Sequence, residues 1–121
     1  MAEFLSKLEV EKVTEAKGMF DRATWLLMEP LIYRSDVLTV TLIVPAGFVT
    51  DFASVPRVGG LYDLVGDTGH ASATVHDWLC RSGKVPRSRA DKVFREALEV
   101  EEVPAWRRNL MYLGVRIGSF F

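Results

Sequence analysis

The sequence of 121 residues contains a single cysteine, Cys80, and only two histidines. One cysteine cannot form an internal disulfide or a zinc site made of several cysteines, and this usage fits a reducing compartment. The chain must therefore fold on its hydrophobic core alone, and 49% of its residues are apolar. A chain of this length predicts one domain, residues 1–121, with one core.

Long apolar runs and an excess of charge of one sign are also missing. The net charge of −1 gives no general attraction to nucleic acid, so we expect no nucleic-acid partner. The apolar stretch 110–121 is interrupted by Arg116 and falls short of the roughly 20 residues of a membrane span. The N-terminus lacks the apolar segment of a signal peptide. These absences predict a soluble protein without a membrane span.

The first half of the sequence has the pattern of β-strands. Residues 37–44 alternate in the period of two that is typical of a half-buried strand. Residues 24–33 form a second β-rich run, in which Pro30 indicates an edge strand or a bulge. Residues 7–14 predict a shorter strand.

The second half has the signals of helices. Residues 70–80 are rich in alanine and are followed by Gly83 and Pro86, which predict the end of a helix. Ser88 is a favourable N-cap for a helix to about Glu99. A final helix is expected to begin near Pro104, with one apolar stripe made of Trp106, Leu110, Leu113 and Ile117. Strands followed by helices predict an α+β fold, with about three helices packed on a small antiparallel sheet.

Two polar residues lie side by side on the first predicted helix. His76 shares a helix face with Ala73 and Leu79, and Asp77 points about 100° away, nearer the rim. A histidine on an inner face is either a hydrogen-bonded core residue or a base or metal ligand. The pair alone does not distinguish these alternatives.

Two further carboxylates have local explanations as well as functional ones. Asp51 ends a strand at the start of a loop, where an aspartate either shapes the turn or serves a site. Asp91 lies three residues after Ser88, the spacing of a capping-box-like helix start.

Together these residues form a set of histidine and carboxylate groups. Asp51, His76 and Asp91 offer nitrogen and oxygen ligands that suit a divalent metal such as Zn²⁺ or Mn²⁺ with an open position for water. Acid/base catalysis by His76, Asp51 and Asp77 is the related alternative. A second enzyme hypothesis uses Ser54 or Cys80 as nucleophile, although a buried helical cysteine is usually inert.

The basic residues of the second half alternate with glutamates and lack repeated aromatic platforms. Arg81, Lys84, Arg87 and Arg89 are followed by Glu96 and Glu99, a pattern typical of a solvated surface. The apolar pair Phe120 and Phe121 either folds onto the core or contacts a partner protein.

Four ordered motifs resemble a known family. The segment VPAGFVTDFASVPR at 44–57 is followed by HDWL at 76–79, by the RAD-x-x-F pattern at 89–94, and by a closing helix with Arg116 and Gly118. This order is similar to the phage and bacterial family catalogued as domain of unknown function 1353, over about residues 23–118. An aromatic residue often occupies the position of Cys80 in that pattern, which weakens the cysteine nucleophile.

The resemblance implies a phage or prophage origin and one polar cluster that also includes Ser54 and Arg57 as substrate-binding residues. We expect a virion-associated protein, in the virion or in the host cytoplasm before assembly. Its function would be that of a small tail or tail-tip component with other virion proteins as partners. The alternative is a metal-assisted or acid/base hydrolase acting on the host envelope polymer, peptidoglycan.

Overall fold

The computed structural model describes residues 1–15, 23–52 and 69–118. Six strands occupy the N-terminal half: β1 (Glu3–Phe4), β2 (Val10–Thr14), β3 (Thr24–Leu27), β4 (Leu31–Ser35), β5 (Val40–Val44) and β6 (Val49–Thr50). Three helices follow in the described part: α1 (His70–Ser82), α2 (Arg87–Val100) and α3 (Ala105–Gly118). The predicted α+β arrangement is confirmed.

The strands form two antiparallel sheets instead of the single sheet expected from the sequence. One sheet has the order β1-β4-β5 and the other has the order β2-β3-β6. The β-rich run 24–33 is divided between them, because β3 ends before Pro30 and β4 begins after it. Proline has no N–H for a sheet ladder, so the chain leaves one sheet here and joins the next.

The hairpin of β4 and β5 carries the main core on its inner face. Leu31, Tyr33 and Ser35 of β4 are buried, whereas Arg34, between the last two, is exposed. Helices α1 and α2 pack on this sheet through Val75, Leu79 and other apolar side chains. The alternation of β4 therefore fixes which face the helices cover.

A second cluster lies where the three helices meet. Phe52 packs there with Phe94 and Leu98 of α2 and with Met111 and Val115 of α3. Gly69, the residue before α1, has a φ of +88°, and a Cβ at this position would lie 2.9 Å from Leu98 and 3.0 Å from Met111. Only glycine accommodates both the backbone angle and the close approach.

Helix α1 ends as predicted, and α2 begins differently. Gly83 adopts the left-handed conformation and closes α1 with a bond to the carbonyl of Leu79. Ser88 is not the N-cap of α2, because Pro86 occupies that position and its carbonyl accepts from the amide of Ala90. The prediction of a Ser88 cap with Asp91 as its partner is wrong. The fixed φ of Pro86 already favours a helix start two residues earlier than the one predicted.

The apolar stripe predicted for α3 exists, but it does not face the core. Trp106, Leu113 and Ile117 are 49%, 55% and 51% exposed. Met111 and Val115 supply the buried contacts instead. The spacing of apolar residues predicts that they share one helix face, but it does not predict whether that face packs on the core or is exposed. Among the described residues, no helix is long and apolar enough to cross a membrane.

Glu96 of α2 joins the helices to the turn between β4 and β5. One carboxylate oxygen accepts from the hydroxyls of Tyr33 and Ser35, each at 2.8 Å. The other accepts from the backbone amides of Asp36 at 3.0 Å and Val37 at 2.9 Å. Burial and this hydrogen bond raise the pKa of the Tyr33 phenol. One side chain therefore satisfies four donors some 60 residues away along the chain.

We expect Glu96→Ala to lower the free energy of unfolding by about 3 kcal/mol, because four donors lose a charged acceptor and the Tyr33 hydroxyl is buried. Urea unfolding followed by circular dichroism measures the change. Glu99→Ala, an exposed glutamate on the same helix, is the matched control and should lie within about 0.5 kcal/mol of wild type. Equal losses in the two variants would contradict the role of Glu96.

Candidate functional site

Side chains from all three helices converge on Asp91 of α2, whose exposure is 0%. Oδ1 lies 2.6 Å from Nε2 of His76 on α1 and accepts from Nε of Arg87 at 3.1 Å. Oδ2 accepts from Nη1 of Arg116 on α3 at 2.8 Å. Cys80 Sγ lies 3.5 Å from His76 Nε2. We call Asp91, His76, Arg87, Arg116 and Cys80 the Asp91 cluster.

Helical spacing explains most of this arrangement. His76 and Cys80 are four residues apart on α1, and Arg87 and Asp91 are four residues apart on α2, so each pair shares a face. The inner position predicted for His76 is confirmed by its exposure of 3%. Its ring also packs on Phe94, with the ring centroids 5.0 Å apart. Arg116 arrives from α3 and closes the cluster.

The donors of the cluster stabilise the buried carboxylate of Asp91. A charge removed from water is strongly unfavourable unless ion pairs and hydrogen bonds replace the solvent. Both oxygens of Asp91 are bound, and two of its partners are guanidinium groups. Asp91 is therefore a buried junction between the three helices and not the capping residue predicted from its spacing.

His76 takes part in the cluster as a neutral side chain. Burial lowers the pKa of its imidazole, and this effect outweighs the opposing influence of Asp91. A neutral histidine facing a carboxylate must donate from the nitrogen that faces it, which is Nε2. The same nitrogen faces Cys80, so Nε2 carries a proton and is not available to receive one from the thiol.

Cys80 itself lacks the properties of an activated nucleophile. Burial raises the pKa of its thiol, against the opposing influence of Arg87. The thiolate is the reactive form, so a raised pKa disfavours nucleophilic attack near neutral pH. Cys80 contributes packing and a weak acceptor to the cluster.

Asp77 lies in a different group, between α1 and the end of β6. Its side chain is 15% exposed, which confirms the predicted place at the rim, and Oδ2 lies 3.6 Å from Nη1 of Arg81. Burial raises the pKa of Asp77, and the charge of Asp51 adds to this, whereas Thr50 and Arg81 lower it. Arg81 also donates to the carbonyl of Val49 at 2.6 Å and so ties the helix to the strand.

The candidate residues from the sequence therefore fall into two groups. His76 and Asp91 meet directly, whereas Asp51 lies near Asp77. Among the described residues, the set with ligand atoms within 4.8 Å of one another is His76, Cys80 and Asp91, without Asp51. Metal binding by Asp51, His76 and Asp91 stays a prediction. Ser54 and Arg57 lie outside the described residues.

Sequence reasoning missed the two arginines of the cluster. Arg87 was assigned to a solvated surface, although its spacing of four from Asp91 is a signal for an ion pair on one helix face. Arg116 is 25 residues from Asp91, and no local pattern indicates that contact. A divalent metal bound through Asp91 would have to compete with both guanidinium groups.

The lowered pKa of His76 predicts that the protein loses stability in mild acid. Below the ordinary value of 6.5 the unfolded chain takes up a proton that the folded chain does not, so the free energy of unfolding falls as pH falls through this window. Urea unfolding between about pH 7.5 and about pH 5 measures the slope. His76→Gln, whose amide still donates to Asp91, should flatten it.

His70→Gln is the matched control because it removes the other histidine and leaves His76 in place. The raised pKa of Asp77 acts with the opposite sign, because the folded chain then holds a proton that the unfolded chain releases above its ordinary pKa of 3.8. An unchanged slope in His76→Gln would show that His76 does not carry the acid sensitivity.

Comparison with known proteins supports the motifs found in the sequence. A family model described as "Protein of unknown function (DUF1353)" matches residues 25–115. The comparison with curated proteins returns no significant match, and neither does the comparison with solved structures. The match includes β3–β6, α1, α2 and the first part of α3, and thus the Asp91 cluster except Arg116. The chain therefore belongs to the DUF1353 family.

Proposed function

We propose that this protein is a non-catalytic component of a phage particle, a small tail or tail-tip structural or assembly protein that binds other virion proteins. The observation that carries the proposal is the exposed apolar stripe of α3, made of Trp106, Leu113 and Ile117. The sequence resemblance to phage and prophage proteins supports the particle as the place of action.

The stripe has the character of a protein contact surface. Its three large side chains share one helix face, and each is about half exposed. Single apolar residues scattered over a surface are common, but a group on one face is typical of a contact site. Tryptophan is among the residues that most often dominate the energy of protein interfaces. The guanidinium of Arg107 lies over the Trp106 ring at 5.3 Å and leaves a basic group beside the stripe.

The state of the Asp91 cluster supports a structural role. Its carboxylate is fully buried and bound on both oxygens, and its histidine is neutral and nearly inaccessible. A general base needs access to the proton that it removes, and a metal ligand needs a free lone pair. The cluster holds three helices together, so the surface is left to perform the function.

The proposal predicts that the protein is present in a fixed number of copies in purified particles, as measured by quantitative mass spectrometry. Trp106→Ser combined with Leu113→Ser should lower that number about tenfold, because a truncated tryptophan contact often costs 2 kcal/mol or more at an interface by rough estimate. Val13→Ser on β2, another exposed apolar position, is the control and should leave it unchanged. Absence of the wild-type protein from particles would refute the proposal.

A second candidate is the metal-assisted or acid/base hydrolase of the host envelope. The observation that favours it is the proximity of His76 to both Asp91 and Cys80, a donor set that a zinc ion accepts. Asp77 with its raised pKa and Asp51 beside it would be the further acid/base groups. The two arginines on Asp91 and the protonated Nε2 oppose this candidate, so we rank it second.

The hydrolase candidate predicts degradation of purified peptidoglycan that is lost in His76→Ala. Removal of a general base or a metal ligand should lower the rate by at least about a hundredfold. Elemental analysis of the purified protein is the parallel measurement, and His70→Ala is the control. A metal-free protein whose activity is the same with and without His76 would end this candidate.

A further inference from the structure

Strand β5 lies at the end of the sheet β1-β4-β5. It pairs with β4 through all of its residues, Val40–Val44, and β1 pairs with the other side of β4. Val40 and Ile43 are 48% and 58% exposed, and Thr41 is also exposed. One edge of β5 is therefore open to solvent.

The register of the sheet shows which backbone groups lie at this open edge. The carbonyl of Ile32 in β4 accepts from the amide of Leu5, so the backbone of Ile32 faces β1. Its partner Ile43 then faces away from β4, because the two residues of an antiparallel pair face either toward each other or away from each other. Thr41 precedes Ile43 by two residues and faces the same way. The outward amides and carbonyls of Thr41 and Ile43 make no hydrogen bond within the part of the chain that the structure describes.

The open edge lacks the features that usually keep an edge strand unpaired. Residues 37–44 contain neither a charged residue nor a proline. Native proteins protect exposed edges with charges, prolines or bulges. Strand β2 at the end of the other sheet has such protection, since it carries Glu11 and Lys12 and its register shifts between Lys12 and Thr14. The edge of β5 is thus suited to receive an added strand, as in β-augmentation.

Exposed cations lie near both ends of the open strand. Arg89 of α2 donates to the carbonyl of Val37 at 2.7 Å, just before β5. Arg81 of α1 lies over the ring of Phe48 at 4.9 Å, shortly after β5. Lys84 lies between them along the chain, in the exposed connection of α1 to α2. We call Arg81, Lys84 and Arg89 the basic corner.

The basic corner gives this side of the molecule a charge that the chain as a whole does not have. Residues 78–95 contain six cations and one acid, the buried Asp91, whereas the net charge of the chain is −1. Asp77 lies 3.6 Å from Arg81, but Lys84 and Arg89 form no ion pair with the residues that the structure describes. A strand that pairs with β5 therefore meets a positive potential.

This potential selects among the strands that could occupy the edge. Two copies of the chain paired through β5 would bring two basic corners together, and like charges oppose that arrangement. An acidic strand is attracted instead. Its side chains neutralise the corner while its backbone completes the hydrogen bonds of the edge.

We propose that the open edge of β5 binds an extended acidic segment of a partner protein, which adds a fourth strand to this sheet. The backbone groups of Thr41 and Ile43 supply the affinity, and the basic corner supplies the preference for acidic side chains. The site is separate from the exposed stripe of α3 and from His76. Its test is therefore independent of the function proposed above.

The test titrates the full chain with a short synthetic peptide in which valine and threonine alternate between glutamates at both ends, and it follows ¹H–¹⁵N chemical shifts. We expect saturable shifts at the amides of Thr41 and Ile43, with a dissociation constant below about 1 mM. A matched peptide with lysines in place of the glutamates should bind at least about tenfold more weakly.

Thr41→Pro removes one outward amide and leaves the bonds to β4 in place, because the amide of Thr41 does not face β4. It should weaken binding of the acidic peptide about tenfold, whereas Thr41→Val keeps the amide and should stay within about twofold.

Lys84→Glu keeps the test decisive if Thr41→Pro disturbs β5. It reverses one charge of the basic corner and should weaken the acidic peptide about fivefold. Lys7→Glu, an exposed lysine in the connection between β1 and β2, is the control and should change the affinity by less than about twofold.

Three outcomes would overturn the proposal. Acidic peptide that gives no saturable shift at Thr41 and Ile43 up to about 5 mM would show that the edge binds no added strand of this kind. Equal affinity for the glutamate and lysine peptides would remove the acidic partner. A dimer of the chain alone in sedimentation velocity, lost in Thr41→Pro, would assign the edge to a second copy.

Discussion

The three helices are held together by one buried charge. Asp91 has no contact with water, so its carboxylate depends on donors, and these come from α1, α2 and α3 together. None of the three helices can shift without leaving an oxygen of Asp91 or one of its donors without a partner. Phe94, Leu98 and Met111 belong to the apolar cluster between the helices, but hydrophobic contacts are non-directional and tolerate sliding more readily than an ion pair does. The carboxylate therefore fixes the register in which these helices pack.

Two other acids act in a similar way at longer range. Glu96 accepts from four donors at the turn between β4 and β5, and Glu101 accepts from the amide and the hydroxyl of Ser72 in the first turn of α1. The latter contact satisfies an amide that the start of a helix leaves without a backbone acceptor. Helix α2 and the residue after it thus supply three carboxylates that bind other elements. Glu96 binds the sheet, Glu101 binds α1, and Asp91 binds both α1 and α3. Helix α2 is the central element of the fold, although its sequence looks like an ordinary charged surface helix.

The sequence predicted what depends on local pattern. The alternating strand, the end of α1 at Gly83 and the inward position of His76 each follow from a few neighbouring residues. The structure confirms the helix end and the histidine, and it confirms the strand over Val40–Val44, whereas residues 36–39 form the preceding turn. The division into two sheets, the exposure of the α3 stripe and the contact of Arg116 with Asp91 depend on residues far apart in the chain. Spacing alone cannot predict such contacts. Asp91 shows the difference clearly, because its position near a helix start suggested a cap while its actual partners lie on three helices.

The reach of Glu96 has a consequence for the order of events during synthesis. The amide of Val37 receives its acceptor from a residue translated 59 positions later. At typical ribosomal speeds that delay is roughly 3 to 12 s. During this interval the β4–β5 hairpin emerges with the donors of its turn still hydrated and its apolar inner face uncovered by α1 and α2. The nascent chain is thus most vulnerable to chaperone capture or misassociation before its second half has left the ribosome.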